Sequence, residues 1–127
     1  MADAYGDPLS APFWAAAAEH RLVVQACSSC GVRQFYARPF CLACQSDDIA
    51  WVEVRGTGTV YSATIVRVPV VQNLEPPYVV AVVELDEGPR ITTNVLDKVV
   101  PIGARVRVDW RDRDGLPPLP VFKLIVA

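Results

Sequence analysis

The sequence has little of the side-chain chemistry on which most enzymes depend. Its 127 residues include a single histidine, His20, at the end of a predicted helix, where histidine more often stabilises the terminus than transfers protons. It contains neither a G-x-S-x-G motif nor a G-x-x-x-x-G-K-[ST] phosphate loop. The acidic pairs Asp47-Asp48 and Asp86-Glu87 fall in predicted turns, where carboxylates are usually solvated. These features predict that the chain does not catalyse a reaction by itself.

Long hydrophobic runs are also missing. Hydrophobic residues make up 52% of the chain, yet no segment approaches the roughly 18 consecutive apolar residues of a membrane-spanning helix. The apolar stretch from Ala11 to Ala18 is mostly alanine and follows Asp3 and Asp7 rather than basic residues, which argues against a signal peptide. We therefore expect a cytoplasmic protein that does not interact with a membrane.

Cysteine is absent everywhere except between residues 27 and 44. The segment CSSCGVRQFYARPFCLAC holds two C-x2-C pairs, Cys27 with Cys30 and Cys41 with Cys44. In a reducing compartment such pairs are more often metal ligands than disulfides, and two of them suit one tetrahedral ion. The pattern predicts a structural Zn²⁺, because four thiolates leave no coordination position open. Iron in a rubredoxin-like site is the first alternative and thiol redox chemistry the second.

The charge balance gives little support to nucleic-acid binding. The formal net charge is −2, and four thiolates around one divalent ion would make the folded protein more acidic still. Acidity argues against attraction to phosphate backbones. The outward arginines Arg105 and Arg107 of a predicted strand alternate with Asp109. A nucleic-acid binder nevertheless stays the alternative function, since zinc ribbons and small β-barrels both serve that role.

Periodicity and composition predict a mostly β chain with one short helix. Ser10 can cap a helix from Ala11 to about His20, with Pro12 in its first turn. RLVVQA and the segment from Trp51 to Val54 resemble strands that enter and leave the thiol loops. The module between them is too small to fold well without metal. The predicted units are an arm and helix at 1–20, a rubredoxin-like zinc ribbon at 21–51 and a barrel at 52–127.

The third unit has the composition of a small closed barrel. Five predicted strands follow one another without helical punctuation: TGTVYSATIVRVPV, YVVAVVELD, RITTNVL, ARVRVDW and VFKLIV. A rigid loop with three prolines, from Leu116 to Pro120, is expected before the last strand. An OB-fold is the first choice and an SH3-like barrel the second.

These segments resemble a known family. A helix carrying FW, the C-x2-C-G start of the ribbon, the W-x4-G-x-G-x-V-Y-S link and the PPY-to-EGPR hairpin are similar to those of paired zinc-ribbon and OB-fold proteins of acyl-CoA metabolism. The resemblance runs from Phe13 to Phe122. It implies zinc bound by Cys27, Cys30, Cys41 and Cys44. It also implies a non-catalytic role in a hetero-oligomer with a thiolase-like enzyme, an acyltransferase or an aldolase of steroid side-chain breakdown, where such subunits bind the coenzyme A thioester.

Two sets of side chains are candidates for these contacts. The proposed ligand-binding residues are Arg38, Phe40, Asn73 and Tyr78. Asn73 and Tyr78 belong to an unusually apolar predicted loop from Pro69 to Tyr78, for which a protein–protein contact is an equal alternative. Phe40 also suits the seam between ribbon and barrel. Phe13 and Trp14 are expected either to anchor the partner enzyme or to cover the barrel.

Overall fold

The computed structural model describes residues 8–69 and 74–125, and the chain they form is mostly β. The elements are α1 (Ala11–Ala17), β1 (Val23–Cys27), β2 (Arg33–Gln34), β3 (Ile49–Glu53), β4 (Thr57–Val66), β5 (Tyr78–Leu85), β6 (Arg90–Val95), β7 (Arg105–Arg113) and β8 (Leu116–Leu124). The first three strands form a small sheet and the last five a closed barrel. The predicted fold class, a short helix followed by a ribbon and a five-stranded barrel, is confirmed.

The helix is shorter than predicted and is packed onto the rest of the chain. It begins after Ser10, whose side chain makes no capping hydrogen bond, and it ends at Ala17. His20 follows in a left-handed conformation (φ 58°). Its ring stacks on Trp110 of β7, with centroids 5.5 Å apart, and its Nε2 lies 3.1 Å from Asp112 Oδ1. His20 therefore joins the end of the helix segment to the barrel.

The ribbon sheet has the order β2-β1-β3, with both neighbours antiparallel to β1. Its base shares one apolar core with the barrel, because Leu22, Val23 and Val24 cluster with Phe13 and the barrel interior. The other end of β1 carries Gln25 and Cys27, also buried. One strand thus begins in a hydrophobic core and ends at the thiols.

The barrel closes in the order β4-β5-β6-β8-β7. Alternate residues of each strand point inward, as in β5, where Val79, Ala81, Val83 and Leu85 are buried. Phe122 of β8 and Val106 of β7 are fully buried at the centre. Closure leaves little free strand edge, and the interior is filled by side chains.

The segment with three prolines is part of a strand, so the prediction of a loop from Leu116 to Pro120 was wrong. The chain turns at Asp114-Gly115 and β8 begins at Leu116, paired with β7 from the start. Proline has no N–H to donate and is tolerated where one edge of a strand is unpaired. On its other edge, among the residues that the structure describes, β8 meets β6 at a single register pair, Val95 with Phe122.

The Asp86-Glu87 turn is not simply solvated, which corrects a second expectation. Glu87 Oε2 accepts the backbone N–H of Arg55 at 3.0 Å, and its side chain is only 15% exposed. Asp86 accepts a hydrogen bond from the hydroxyl of Thr57 and pairs with both guanidinium nitrogens of Arg105 at 2.7 and 2.8 Å. The turn therefore fixes, through these hydrogen bonds, the segment that leads from the ribbon into the barrel.

None of the helices in the described ranges has the length and apolar character needed to cross a membrane.

Candidate metal centre and adjoining groove

The two C-x2-C pairs sit on loops of nearly identical backbone geometry. In the first, the N–H of Gly31 donates to the carbonyl of Cys27, and in the second, the N–H of Gln45 donates to that of Cys41, at 2.9 and 2.8 Å. Gly31 and Gln45 both have a positive φ, 78° and 66°. This left-handed residue turns each loop back on itself, so that the two cysteines of a pair point the same way. Glycine adopts it freely, whereas glutamine does so at a cost.

The four thiols converge on one point. Their sulfurs all lie within 4.8 Å of one another, and Cys27 Sγ to Cys44 Sγ and Cys30 Sγ to Cys41 Sγ are both 3.6 Å. A tetrahedral ion with Zn–S bonds of about 2.3 Å places its sulfur ligands about 3.8 Å apart. One cysteine of each pair is buried and the other is exposed. The donor set and its spacing fit a single tetrathiolate metal ion held by Cys27, Cys30, Cys41 and Cys44.

The loops also favour the ionised form of their first cysteines. The pKa of Cys27 is lowered to about 6, chiefly because the backbone N–H of Cys30 donates to its sulfur. The pKa of Cys41 is lowered as well, chiefly by the backbone N–H of Cys44. Thiolate is the form that binds metal. The pKa of Cys30 and that of Cys44 are raised instead, so the backbone geometry prepares only the first cysteine of each pair for an ion.

Two buried glutamines organise the segment between the thiol pairs, and sequence reasoning missed both. Gln25 pairs with the backbone of Arg38: its Oε1 accepts the Arg38 N–H and its Nε2 donates to the Arg38 carbonyl, each at 2.9 Å. Gln34 donates to the carbonyl of Phe40 at 3.1 Å and accepts the N–H of Leu42 at 3.0 Å. The two side chains bond each other at 2.9 Å. For Gln25 the available signal was a polar residue directly after a pair of valines in a predicted strand.

The segment held in this way forms one wall of a groove. The groove has a volume of about 480 Å³ and lies where the start of α1, the ribbon and the barrel meet. Phe13 and Trp14 contribute from the helix and Trp51 from β3; the remaining lining comes chiefly from two segments, residues 35–38 of the ribbon and residues 91–94 of β6. Tyr36 bridges two walls, since its hydroxyl accepts the N–H of Thr92 at 3.0 Å.

The structure brings together some of the predicted site residues and separates others. Arg38, Phe13 and Trp14 all line this groove. Phe13 is only 5% exposed and packs in the core of its own chain, against Phe35 among others. It therefore has almost no surface to offer a partner, and Trp14, half-buried, has more.

The other predicted ligand residues lie elsewhere. Phe40 is 42% exposed and is not among the residues that line the groove. Tyr78 begins β5 and lines two smaller depressions beside Lys98. Asn73 lies outside the described residues. Ligand binding by Arg38, Phe40, Asn73 and Tyr78 stays a prediction, and in the described part of the chain these residues do not form one site.

Comparison with family models gives two consecutive matches. Residues 14–50 match the model described as "ChsH2, rubredoxin-like zinc ribbon domain", and residues 51–111 match "ChsH2, C-terminal OB-fold domain". The chain belongs to the ChsH2 zinc-ribbon and OB-fold family. This membership confirms the predicted family and the OB type of the barrel. It also assigns the cluster of four thiols to a zinc-ribbon domain.

Two curated relatives differ from this chain in length. A protein of Thermomonospora curvata named "Probable enoyl-CoA hydratase alpha subunit" is 43% identical over 116 residues, which cover 87% of this chain and 36% of the relative. A "DUF35 domain-containing scaffold protein" of Methanocaldococcus jannaschii is 34% identical over 90 residues, 67% of this chain and 64% of the relative. The chain thus spans about a third of the first relative and less than two thirds of the second.

Two solved structures share the fold. A chain of the "Ltp2-ChsH2(DUF35) aldolase" superposes with a TM-score of 0.88 at 38% sequence identity, covering 96% of this chain and 98% of that one. A DUF35-family protein of unknown function from Sulfolobus solfataricus superposes with a TM-score of 0.68 at 20% identity, covering 98% and 92%. The second likeness concerns the fold alone.

Proposed function

We propose that this chain is a non-catalytic subunit of an acyl-CoA enzyme, a zinc-bearing scaffold that completes the substrate site of a thiolase-fold partner such as an aldolase. The near full-length superposition on a chain of the Ltp2-ChsH2(DUF35) aldolase is the observation that carries the proposal. The names of the relatives support it, because one is described as a subunit of an enoyl-CoA hydratase and another as a scaffold protein.

The metal in this proposal is zinc, and its role is structural. The four thiols fit a tetrahedral ion in their spacing and leave it no open position for substrate or water. Bound zinc would fix the relative positions of the two thiol loops. Cys41 directly precedes Leu42, whose N–H donates to Gln34, so an ordered metal centre also supports the segment that lines the groove.

Co-expression with a thiolase-fold acyl-CoA enzyme of the same organism tests the proposal. We expect the two proteins to elute as one complex on size-exclusion chromatography, with one zinc per copy of this chain. The enzyme should lose most of its turnover of acyl-CoA substrates when this chain is omitted and recover it on addition. If the two proteins elute separately and the enzyme alone is fully active, the proposed function is wrong.

A further inference from the structure

The second half of β4 has a strand edge that the closure of the barrel leaves without a partner. The strand pairs with β7 over Thr57–Thr59, and Val60 then bonds the loop that precedes β7. The register with β5 shifts between Val60 and Ser62, and such a bulge bends the strand. From Ser62 to Val66, in the part of the chain that the structure describes, β4 pairs with β5 alone.

The alternation of β5 shows which backbone groups of β4 face this edge. Leu85 bonds the turn that leads to β6 through both its N–H and its carbonyl, so its backbone groups point away from β4. Successive residues of a strand present these groups to opposite neighbours, so those of Ala81 and Val79 also point towards β6. Their partners in β4 are Ala63 and Ile65. In such non-hydrogen-bonded pairs, Ala63 and Ile65 direct their N–H and carbonyl groups to the free edge.

The free edge lacks the features that usually protect one. No backbone group of the described residues bonds Ala63 or Ile65 there. The segment Tyr61–Val66 contains neither a charged residue nor a proline, which natural proteins commonly place on edge strands to prevent pairing. The side chains of Tyr61 and Ile65 are exposed, and so is Ile102 in the loop beside the start of the edge. An uncharged, partly apolar edge of this kind is a site for pairing with another strand.

The edge is complementary to itself under a two-fold axis beside Thr64. Such an axis places Ala63 opposite Ile65 of a second copy, and the two residues can then exchange N–H to carbonyl hydrogen bonds in both directions. On one face of the joined sheet a small side chain lies opposite a larger one. On the other face Thr64 lies opposite Thr64, a favourable cross-strand pair. The exposed Arg67 of each copy stands at the opposite end of the joined strands, so these like charges do not meet.

We propose that the chain self-associates through this edge, so that β4 of one copy pairs antiparallel with β4 of a second copy. Main-chain hydrogen bonds supply the affinity of such strand addition. A two-fold contact closes on itself and forms a dimer rather than a fibre. The second copy is the occupant because the edge carries no charge that would select another partner, whereas its own side chains match in size.

This inference goes beyond the proposed function and does not rest on it. The residues of the edge, Tyr61–Val66, are not among those that line the groove beside the ribbon. A dimer through β4 therefore leaves that groove open, and the chain can self-associate whether or not it also binds an enzyme.

Sedimentation velocity of the zinc-loaded chain at increasing concentration tests the proposal, and we expect a reversible equilibrium between monomer and dimer. A phosphine reductant excludes disulfides between copies through the exposed Cys30 and Cys44. Ile65→Pro removes a donor from the edge and no hydrogen bond of the single barrel, because proline is tolerated where the N–H of an edge strand faces outward. The change occurs in both copies and should raise the dissociation constant about thirtyfold or more. Ile65→Val keeps the N–H, and this matched control should dimerise.

Charges introduced at Thr64 test the register of the two strands without the use of proline. Thr64 is exposed, and the proposed axis places it directly opposite itself. Thr64→Lys and Thr64→Glu should each raise the dissociation constant about fivefold or more, because like charges then lie opposite each other. An equimolar mixture of the two variants should associate more tightly than either variant alone. Leu116→Lys, at an exposed residue of β8, is the control and should leave the equilibrium unchanged.

Three results would overturn the proposal. The first is a chain that stays monomeric from micromolar to millimolar concentrations. The second is an Ile65→Pro variant that dimerises as the original chain does. The third is a mixture of the Lys and Glu variants that associates no better than its components, because the β4 strands then do not meet at Thr64. Circular dichroism and zinc content report whether each variant is folded, and if Ile65→Pro is not, the Thr64 variants decide by themselves.

Discussion

The ribbon and the barrel lie side by side in one short chain and depend on different interactions for their order. The barrel buries a set of apolar side chains that includes Val60, Val83 and Phe122. The thiol end of the ribbon buries two cysteines and two glutamines instead. Apolar burial is non-directional and tolerates small shifts, whereas metal coordination and amide hydrogen bonds require particular positions. The geometry of the ribbon is therefore more precisely defined than that of the barrel, and fewer interactions maintain it.

The groove lies between the ribbon and the barrel, so its two walls are held in place by different kinds of interaction. Its barrel wall is a strand in a closed sheet, and its ribbon wall is the segment held by Gln25 and Gln34. Loss of metal should therefore change one wall and leave the other in place. The following predictions separate the two regions, beginning with the largest expected effect.

Removing one metal ligand should unfold the ribbon and spare the barrel. In Cys41→Ser the chain loses a buried thiolate and with it most of the metal-binding free energy, about 10–16 kcal/mol in zinc-finger peptides. We expect zinc content near zero by elemental analysis, loss of dispersed amide signals from β1–β3, and retained signals from β4–β8. Ala43→Ser, an exposed change in the same loop, is the control and should keep the metal. Retained zinc in Cys41→Ser would contradict the assigned ligand set.

The converse change should weaken the barrel and leave the metal bound. Phe122 is fully buried, and Phe→Ala in a core costs about 3–5 kcal/mol through lost burial and the cavity left behind. Phe122→Ala should lower the unfolding midpoint in urea strongly, while zinc per folded chain is unchanged. Leu116→Ala, at a residue that is 39% exposed, should have little effect on either quantity. Loss of zinc from folded Phe122→Ala would show that the two regions are not separable.

Replacing Gln25 should loosen the ribbon wall without removing the metal. Gln25→Leu leaves the N–H and carbonyl of Arg38 without the partners they have now, at a cost of about 2–3 kcal/mol in unfolding free energy. Faster amide exchange is expected at Arg38, measurable by NMR. Because Gln25 and Gln34 bond each other, the double variant with Gln34→Leu should cost less than the sum of the two single changes. Strict additivity would argue against one connected network.

The smallest effect concerns the Asp86 turn, at the edge of the barrel where the chain enters it from the ribbon, and depends on pH. Hydrogen bonds from Arg105 and then Thr57 hold the pKa of Asp86 well below its usual range. A carboxyl with a depressed folded-state pKa stabilises the protein above its unfolded pKa of about 3.9, and this stabilisation is lost as the pH falls towards the folded-state pKa. Asp86→Asn should cost at most about 1 kcal/mol at neutral pH.

Melting temperature measured against pH checks this prediction. The difference between the original chain and Asp86→Asn should be present at pH 7 and should shrink as the pH falls below about 4. Asp47→Asn, in an exposed turn of the ribbon, is the control that removes the same charge away from Arg105 and Thr57. A gap that widens in acid would contradict the assigned sign.

The sequence was sufficient for features that depend on local pattern. The two C-x2-C pairs predicted the metal cluster because ligand spacing within a loop is a local property, and alternation such as that of ARVRVDW predicted the barrel strands. The helix was predicted three residues too long. Alanine propensity favours its continuation, but the chain turns at His20 to stack on Trp110, a contact about 90 residues away that propensity does not include.

Features that depend on distant partners could not be predicted in this way. The prolines of β8 are typical of a loop, and only the missing pairing with β6 at that level makes a strand possible. Gln25 and Gln34 are ordinary polar residues until Arg38, Phe40 and Leu42 are placed against them. The groove combines residues from the helix, the ribbon and the barrel, so no single motif describes it.

Hydrogen–deuterium exchange before and after removal of the metal tests the central claim most directly. The account predicts that chelation greatly accelerates exchange in β1–β3 and in residues 35–42, including the Arg38 wall of the groove, while β5 and the buried part of β8 keep their protection. Uniform acceleration over the whole chain, or no change in residues 35–42, would contradict the account.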